Sequence, residues 1–139
     1  MNTAADLPDL NVWLALACPD HCHHRQALRY WEQQAGEQVL FCTVTALGLV
    51  RLVCQPKLMG AAVKTAGEAS ALLEAFCMQP GVSMAMAEQG GWDVFHQLLR
   101  TDAYLAAVAM ANGWRLVSFD RDFERFEGLE RLALPGAQA

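Results

Sequence analysis

The order of hydrophobic and polar positions predicts strands and helices that alternate along the chain. Apolar runs predict strands near 7–12, 39–43, 82–86 and 116–119, with a last edge strand at 132–134. Helical spacing predicts helices at 23–35, from Thr43 or Thr45 to about 53, and at 69–79, 92–99 and 102–112. Shorter helical turns are expected at 13–17 and 123–126. Strands and helices in alternation favour an α/β fold of three layers, α/β/α, around a central parallel sheet.

Capping and turn residues mark the ends of several of these elements. Thr65 to Glu68 has the capping-box pattern ahead of a helix, and Gly113 stops the last long helical run. Pro8 lacks an N–H for a sheet ladder, so we expect it at the start of the first strand.

Length and composition indicate one compact unit, which we take as a single domain spanning 1–139. The 139 residues are 54% hydrophobic, too apolar for a disordered chain. Charged residues make up only 18%, which favours burial of part of the surface against a partner such as a second copy. The net charge of −5 argues against binding nucleic acid by charge alone, but not against a nuclease whose bound metal offsets its carboxylates.

The cysteines and the hydropathy pattern indicate in which cellular compartment the protein is expected. Five cysteines, an odd number, lie in apolar runs and are typical of reduced thiols in a cytoplasmic protein. No apolar run reaches membrane-spanning length, and no basic segment precedes an apolar one at the N-terminus, so neither a membrane nor a signal peptide is expected.

Three aspartates fall where a parallel sheet binds ligands, beyond the carboxyl ends of its strands. Asp9 lies on the first predicted strand, Asp120 ends a late strand, and Asp102 lies in the first turn of a helix. Taken singly, each has an ordinary structural interpretation as a helix-start or turn residue. Together they offer the carboxylate oxygens that Mg²⁺ and Mn²⁺ prefer, so a metal site is predicted.

The motifs around these acids resemble those of PIN-domain proteins. Asp9-Leu10-Asn11-Val12 resembles the family's opening motif, Thr101-Asp102-Ala103-Tyr104 its third acidic motif, and the run from Leu116 to Arg121 its fourth. The runs Pro19–His24 and Thr45–Leu52 are similar to one subgroup, the VapC-type toxins of bacterial toxin–antitoxin modules. The resemblance extends from about Leu7 to Phe123.

This resemblance implies a Mg²⁺- or Mn²⁺-dependent endoribonuclease, the toxin of a VapBC-type module. Asp9, Asp102 and Asp120 would then hold the metal and carry catalysis. Polar groups expected to support these acids are Asn11, Thr45 and Ser118. The implied partners are an RNA substrate, a cognate antitoxin and a second copy in a homodimer. Because Arg forks match phosphate oxygens, Arg51 and Arg121 are candidate RNA contacts, whereas Asp122 is interpreted as a surface turn residue.

One position departs from the family pattern. Ala46 stands where PIN nucleases commonly have Glu, or in some members Gln, in the helix after the second strand. Alanine cannot bind metal or orient a metal-bound water. The alternative function is therefore a PIN-fold binding module with weakened catalysis that pairs with an antitoxin or RNA.

Two other chemistries have partial signals. Cys18, Cys22 and the histidines between 21 and 24 have ligand types suited to zinc, but the only further histidine is His96. Asp9 followed by Asn11 is also similar to the first motif of haloacid-dehalogenase-type phosphatases, which need a second Asp where Asn11 stands.

Overall fold

In the computed structural model the central sheet contains five parallel strands, which are β1 Ala5–Pro8, β2 Gln38–Phe41, β3 Val82–Met84, β4 Arg115–Ser118 and β5 Arg131–Ala133. Their order in the sheet is β3-β2-β1-β4-β5. The structure describes residues 5–85 and 101–136, without the side chains of 101–103. The central strand β1 pairs with both β2 and β4, with Asp6 opposite Val39 on one side and Arg115 on the other.

Helices cover both faces of this sheet. The α-helices of the described ranges are α1 Leu10–Ala17, α2 His24–Gln33, α3 Thr43–Val53, α4 Pro56–Met59, α5 Ala66–Cys77 and α6 Thr101–Asn112, with 3-10 turns at Gly60–Ala62 and Arg121–Arg125. None of these helices has the length and apolar character needed to cross a bilayer.

The hydrophobic core divides between the two faces because alternate strand residues point in opposite directions. Leu7 and Leu116 pack with residues of α6, including Leu105. Val39 and Phe41 pack on the other face, in a cluster that draws its remaining buried members from α1, α3, α5 and β3. The predicted three-layer arrangement is therefore confirmed.

The first strand is the main difference from the sequence-based expectation. The strand predicted near 7–12 is wrong, because β1 ends at Pro8, which is its last residue and not its first. Asp9 is the N-cap of α1 and accepts a hydrogen bond from Leu10 N at 2.7 Å. An N-cap aspartate satisfies a free N–H of the first turn, which favours a helix directly after Pro8.

Other predicted elements agree more closely with the structure. The capping box at α5 is present, since Glu68 N donates to Thr65 Oγ1 at 3.1 Å and Thr65 N donates to Glu68 Oε1 at 2.9 Å. The predicted edge strand is found as β5, which pairs in parallel with β4. The helix predicted at 92–99 lies outside the described residues.

A buried ion pair, not anticipated from the sequence, joins β1 to β4. Asp6 is fully buried, and its carboxylate receives Arg115 Nε at 2.8 Å and Arg115 Nη2 at 2.9 Å. The same carboxylate accepts from the Tyr30 hydroxyl at 2.5 Å and from Gly36 N at 3.0 Å. This network fixes α2 and the following turn against the end of the sheet opposite to Asp9.

Candidate active site

Asp9, Ser118 and Asp120 meet at the carboxyl ends of two neighbouring strands. Asp9 directly follows β1, and its N–H donates to Val117 O of β4 at 2.7 Å. Ser118 is the last residue of β4, and Asp120 follows two residues later. The pairing of β1 with β4 therefore brings together residues that are 109 positions apart in sequence.

The Ser118 hydroxyl connects the polar groups of this edge. It donates to Asp9 Oδ2 at 2.9 Å and accepts from Asp120 N at 2.9 Å and from Asn11 Nδ2 at 3.3 Å. Ser118 is only 3% exposed, so its hydroxyl is shielded from water. The arrangement holds the Asp9 carboxylate and the Asp120 backbone in a fixed relation.

Asp120 combines a fixed backbone with an exposed side chain. Its Oδ1 accepts from Asp122 N at 2.8 Å, which caps the 3-10 turn Arg121–Arg125. Asp122 is exposed and contacts Asp120 through its backbone, as expected of a turn residue. The second carboxylate oxygen of Asp120 has no hydrogen bond to a described residue and can serve a ligand.

Asn11 contributes a buried atom that the described residues do not satisfy. Its amide nitrogen bonds to Ser118, whereas its Oδ1 is buried with no hydrogen-bond partner among the described residues. A buried carbonyl oxygen without a donor costs free energy unless a ligand or water completes it. The oxygens of Asp9, Asp120 and Asn11 are hard donors of the kind that Mg²⁺ and its bound waters require, so this edge fits a hard divalent metal.

Asp102 is placed by its backbone alone. It is the second residue of α6, whose Leu105 and Val108 pack with Leu116 of β4. Its side chain lies outside the described part of the structure, and the convergence of all three acids stays a prediction. No group of three acidic, His or Cys side chains able to hold a metal occurs in the described ranges.

Thr45 and Ala46 lie in the first turns of α3. Thr45 is fully buried; its Oγ1 accepts from Cys42 N at 3.0 Å and donates to Cys42 O at 3.2 Å. These bonds cap the helix and are not directed to Asp9 or Asp120. Ala46 is 5% exposed and belongs to the apolar cluster that contains Trp13 and Phe41.

The two candidate RNA contacts differ in position. Arg121 directly follows Asp120 and is exposed. Arg51 is also exposed but lies in the last turn of α3, about two turns from the Thr43 end that adjoins the sheet edge. Arg121 is therefore the nearer cation to the acids.

The candidate zinc residues are engaged in local hydrogen bonds. His21 Nδ1 accepts from His23 N at 3.0 Å, and His24 Nδ1 bonds to Ala15 O at 2.7 Å. They do not assemble a metal site within the described ranges. His96 falls outside those ranges.

The loop that contains His21, His23 and His24, here called the histidine loop, contacts the strand edge that carries Asp9 and Asp120, here called the acid edge. Sequence reasoning did not anticipate this contact. The His23 ring stacks on Phe119 with centroids 4.5 Å apart and planes 18° apart. Phe119 lies between Ser118 and Asp120 in the chain. The position of Phe119 after a strand gave no signal of this contact, because it depends on how α2 folds back against the sheet.

Comparisons with known proteins agree with this architecture. Residues 7–129 match the model of the PIN domain family. Ribonuclease VapC41 of Mycobacterium tuberculosis is 36% identical over 139 residues, covering 89% of this chain and 94% of that protein. Ribonuclease VapC39 of the same organism is 32% identical over 122 residues, covering 82% and 87%. The match also removes the basis for the phosphatase interpretation.

Solved structures show the same fold at low identity. VapC20 of Mycobacterium tuberculosis, described as a Sarcin-Ricin loop cleaving toxin, aligns with a TM-score of 0.66 at 18% identity over 90% of this chain and 98% of that one. The VapBC2 complex of Rickettsia felis, bound to a promoter DNA fragment, aligns with a TM-score of 0.63 at 13% identity over 94% and 99%. From the match over residues 7–129 and the VapC relatives above 30% identity, this chain belongs to the PIN-domain family and, within it, to the VapC group.

Proposed function

We propose that this protein is a metal-dependent endoribonuclease that acts as the toxin of a VapBC-type toxin–antitoxin pair. Its relatives VapC41 and VapC39 are named ribonucleases, and the neighbour VapC20 is described as cleaving the Sarcin-Ricin loop. The observation that carries the proposal is the Ser118 hydroxyl, which binds the Asp9 carboxylate and the Asp120 backbone at one strand edge.

The residues at this edge have separate tasks in the proposed reaction. Asp9 and Asp120, with Asp102 as the third acid, would hold Mg²⁺ or Mn²⁺. When bound, the ion supplies Lewis acidity that activates water and stabilises the leaving oxygen of a phosphodiester. Ser118 orients Asp9, and Asn11 Oδ1 can accept a hydrogen bond from a water molecule in the site. Arg121 can bind a phosphate of the RNA next to Asp120.

Replacing the acids by amides tests this proposal. Asp9→Asn and Asp120→Asn should lose Mn²⁺ binding and RNA cleavage but remain folded, because asparagine keeps an oxygen that accepts from Leu10 N or Asp122 N. Without metal, the free energy of unfolding of these variants should stay the same or rise, because the repulsion between carboxylates decreases. Calorimetric Mn²⁺ titration and an RNA cleavage assay give the readouts, with Asp122→Asn as the control. Full Mn²⁺ affinity in Asp9→Asn would contradict the assignment.

The proposed partners are an antitoxin protein and a second copy of the chain. Structural neighbours such as the Rickettsia felis VapBC2 complex contain an antitoxin. All five cysteines are free thiols, which is consistent with the reducing cytoplasm. We expect light scattering at tens of micromolar, roughly where a weak interface still assembles, to show a homodimer. A monomer under those conditions would contradict the dimer.

A further inference from the structure

The N-terminal part of α2 borders a cavity with concentrated positive charge. The cavity has a volume of about 520 Å³, and its lining includes His21, His24, Arg25, Gln26 and Arg29. Arg25 and Arg29 are four residues apart on α2, so both guanidinium groups lie on the same side of the helix. In a chain with a net charge of −5, two arginines at a cavity that has no acidic residue among its described lining residues favour an anionic ligand.

Neither arginine is paired within the part of the chain that the structure describes. No ion pair or hydrogen bond joins Arg25 or Arg29 to another residue in the described ranges, unlike Arg115, which pairs with Asp6, or Arg131, which pairs with Glu124. Unpaired guanidinium groups that face a cavity can bind phosphate oxygens through two parallel hydrogen bonds.

Gln26 adds a polar acceptor between the two arginines. Its Nε2 donates to Gly136 O at 3.4 Å, whereas its Oε1 is buried and has no hydrogen-bond partner among the described residues. A phosphate alone offers no donor to this oxygen. A ribose 2′-hydroxyl can donate to this oxygen once the Gln26 amide turns away from its long hydrogen bond to Gly136 and toward the cavity. This hydroxyl distinguishes RNA from DNA.

The cavity connects structurally to the acid edge. His23, between the lining residues His21 and His24, stacks on Phe119, which adjoins Ser118 and Asp120. A nucleic-acid strand that enters the acid edge can therefore continue along the histidine loop. The volume of about 520 Å³ lies within the usual range of about 300–1,000 Å³ for a small-ligand pocket.

We propose that this cavity is a second RNA subsite, in which Arg25 and Arg29 bind a backbone phosphate and Gln26 accepts a hydrogen bond from a ribose 2′-hydroxyl. The inference rests on the proposal that the substrate is RNA. The subsite holds the strand away from the cleaved bond, so these residues contribute to binding and not to the chemical step.

The test measures binding of a short single-stranded RNA by fluorescence anisotropy in EDTA, where metal-dependent cleavage cannot occur. The double variant Arg25→Ala/Arg29→Ala should bind more weakly. The slope of log K against log salt should become shallower by about 0.7, since both arginines contact one phosphate and each phosphate contact to a single strand contributes about 0.7. The control Lys57→Ala/Arg131→Ala removes the same charge elsewhere and should keep a slope close to that of the wild type. Circular dichroism melting checks that both variants are folded.

Two outcomes overturn this subsite, and a third removes its ribose contact. Equal salt slopes for the double variant and the control would show that the arginines do not contact RNA. Unchanged RNA binding together with lost binding of a polyglutamate peptide would assign the cavity to an acidic protein. No preference of the wild type for RNA over DNA of the same sequence, or an unchanged preference in Gln26→Met, would remove the ribose contact.

Cleavage assays separate this inference from the proposed function. Arginine-dependent RNA binding by a wild type that cuts no RNA with Mn²⁺ would refute the nuclease proposal and leave the subsite standing. Mn²⁺-dependent cleavage with the same KM in wild type and double variant would refute the subsite alone. The expected result is a raised KM with kcat unchanged.

Discussion

At the scale of single residues, Ser118 shows how one small side chain can organise a site. Its hydroxyl has one hydrogen to donate and two lone pairs to accept, and all three are used by Asp9, Asp120 and Asn11. Ser118 is only 3% exposed, so the hydroxyl makes these contacts inside the protein. The residue therefore sets the orientation of Asp9 without being placed to touch a substrate itself.

Ser118→Ala should lower RNA cleavage by about 10–100-fold, the usual cost of losing a group that orients a metal ligand. It should also lower the free energy of unfolding by about 1–3 kcal/mol, because the partly buried partners lose their hydrogen bonds. Initial cleavage rates and urea denaturation measure the two effects. Ser70→Ala, at an exposed position of α5, is the control. Wild-type cleavage by Ser118→Ala would show that Asp9 needs no such orientation.

At the scale of elements, the start of α3 combines a capping residue with an unusual alanine. Thr45 bonds to both backbone groups of Cys42 and so fixes the helix start. Ala46 follows it and is buried near Trp13, Phe41 and Leu49. A carboxylate introduced there loses hydration unless a cation or donor compensates.

Ala46→Glu should therefore melt at a lower temperature than the wild type without metal. Added Mn²⁺ should raise its melting temperature and increase RNA cleavage by at least about tenfold, if the position is a vacated metal-site position. Melting curves and cleavage rates with and without Mn²⁺ provide the measurement. Ala46→Gln, of the same size but neutral, is the matched control. A variant that is destabilised, gains nothing from Mn²⁺ and cuts no more RNA would refute this role.

At the scale of the whole molecule, the Asp6–Arg115–Tyr30 network lies at the end of the sheet opposite to the acid edge. It joins the two central strands and α2 at the opposite end of the sheet. Burial, and then the charge of Asp6, raise the pKa of Tyr30 far above its usual value. The Tyr30 hydroxyl therefore stays protonated in the folded protein well into the alkaline range.

Tyr30→Phe should lower the free energy of unfolding at pH 7 by about 1.5–3 kcal/mol, the usual value of a hydrogen bond to a charged group. Above about pH 10 the unfolded wild type releases the Tyr30 proton while the folded state retains it. The free energy of unfolding of the wild type then falls, whereas the variant has no Tyr30 proton to release. The difference in free energy of unfolding between the two proteins should therefore shrink from pH 7 to pH 11. Tyr104, the other of the two tyrosines, is present in both proteins. If urea denaturation gave the same difference in free energy of unfolding at every pH in this range, folding would not be linked to the Tyr30 proton.

The sequence by itself determined the classes of element and much of the chemistry. Hydrophobic periodicity and capping patterns depend on neighbours within a few residues, so the α5 capping box and the late strand ending before Asp120 could be predicted. The motifs around Asp9 and Asp120 also indicated the family, because each is local. The boundary at Pro8 was missed, since the N-cap role of Asp9 competes with a strand pattern that continues into α1.

Only the tertiary structure decided which of these local features meet. The parallel pairing of β1 with β4 brings Asp9 to Ser118, and it brings Asp6 to Arg115, across 109 residues in each case. The burial of Ala46 and the stack of His23 on Phe119 depend in the same way on packing between distant elements. Such contacts follow from the order of the strands and the close packing of the layers. The spacing of residues along a single segment predicts neither the strand order nor the packing.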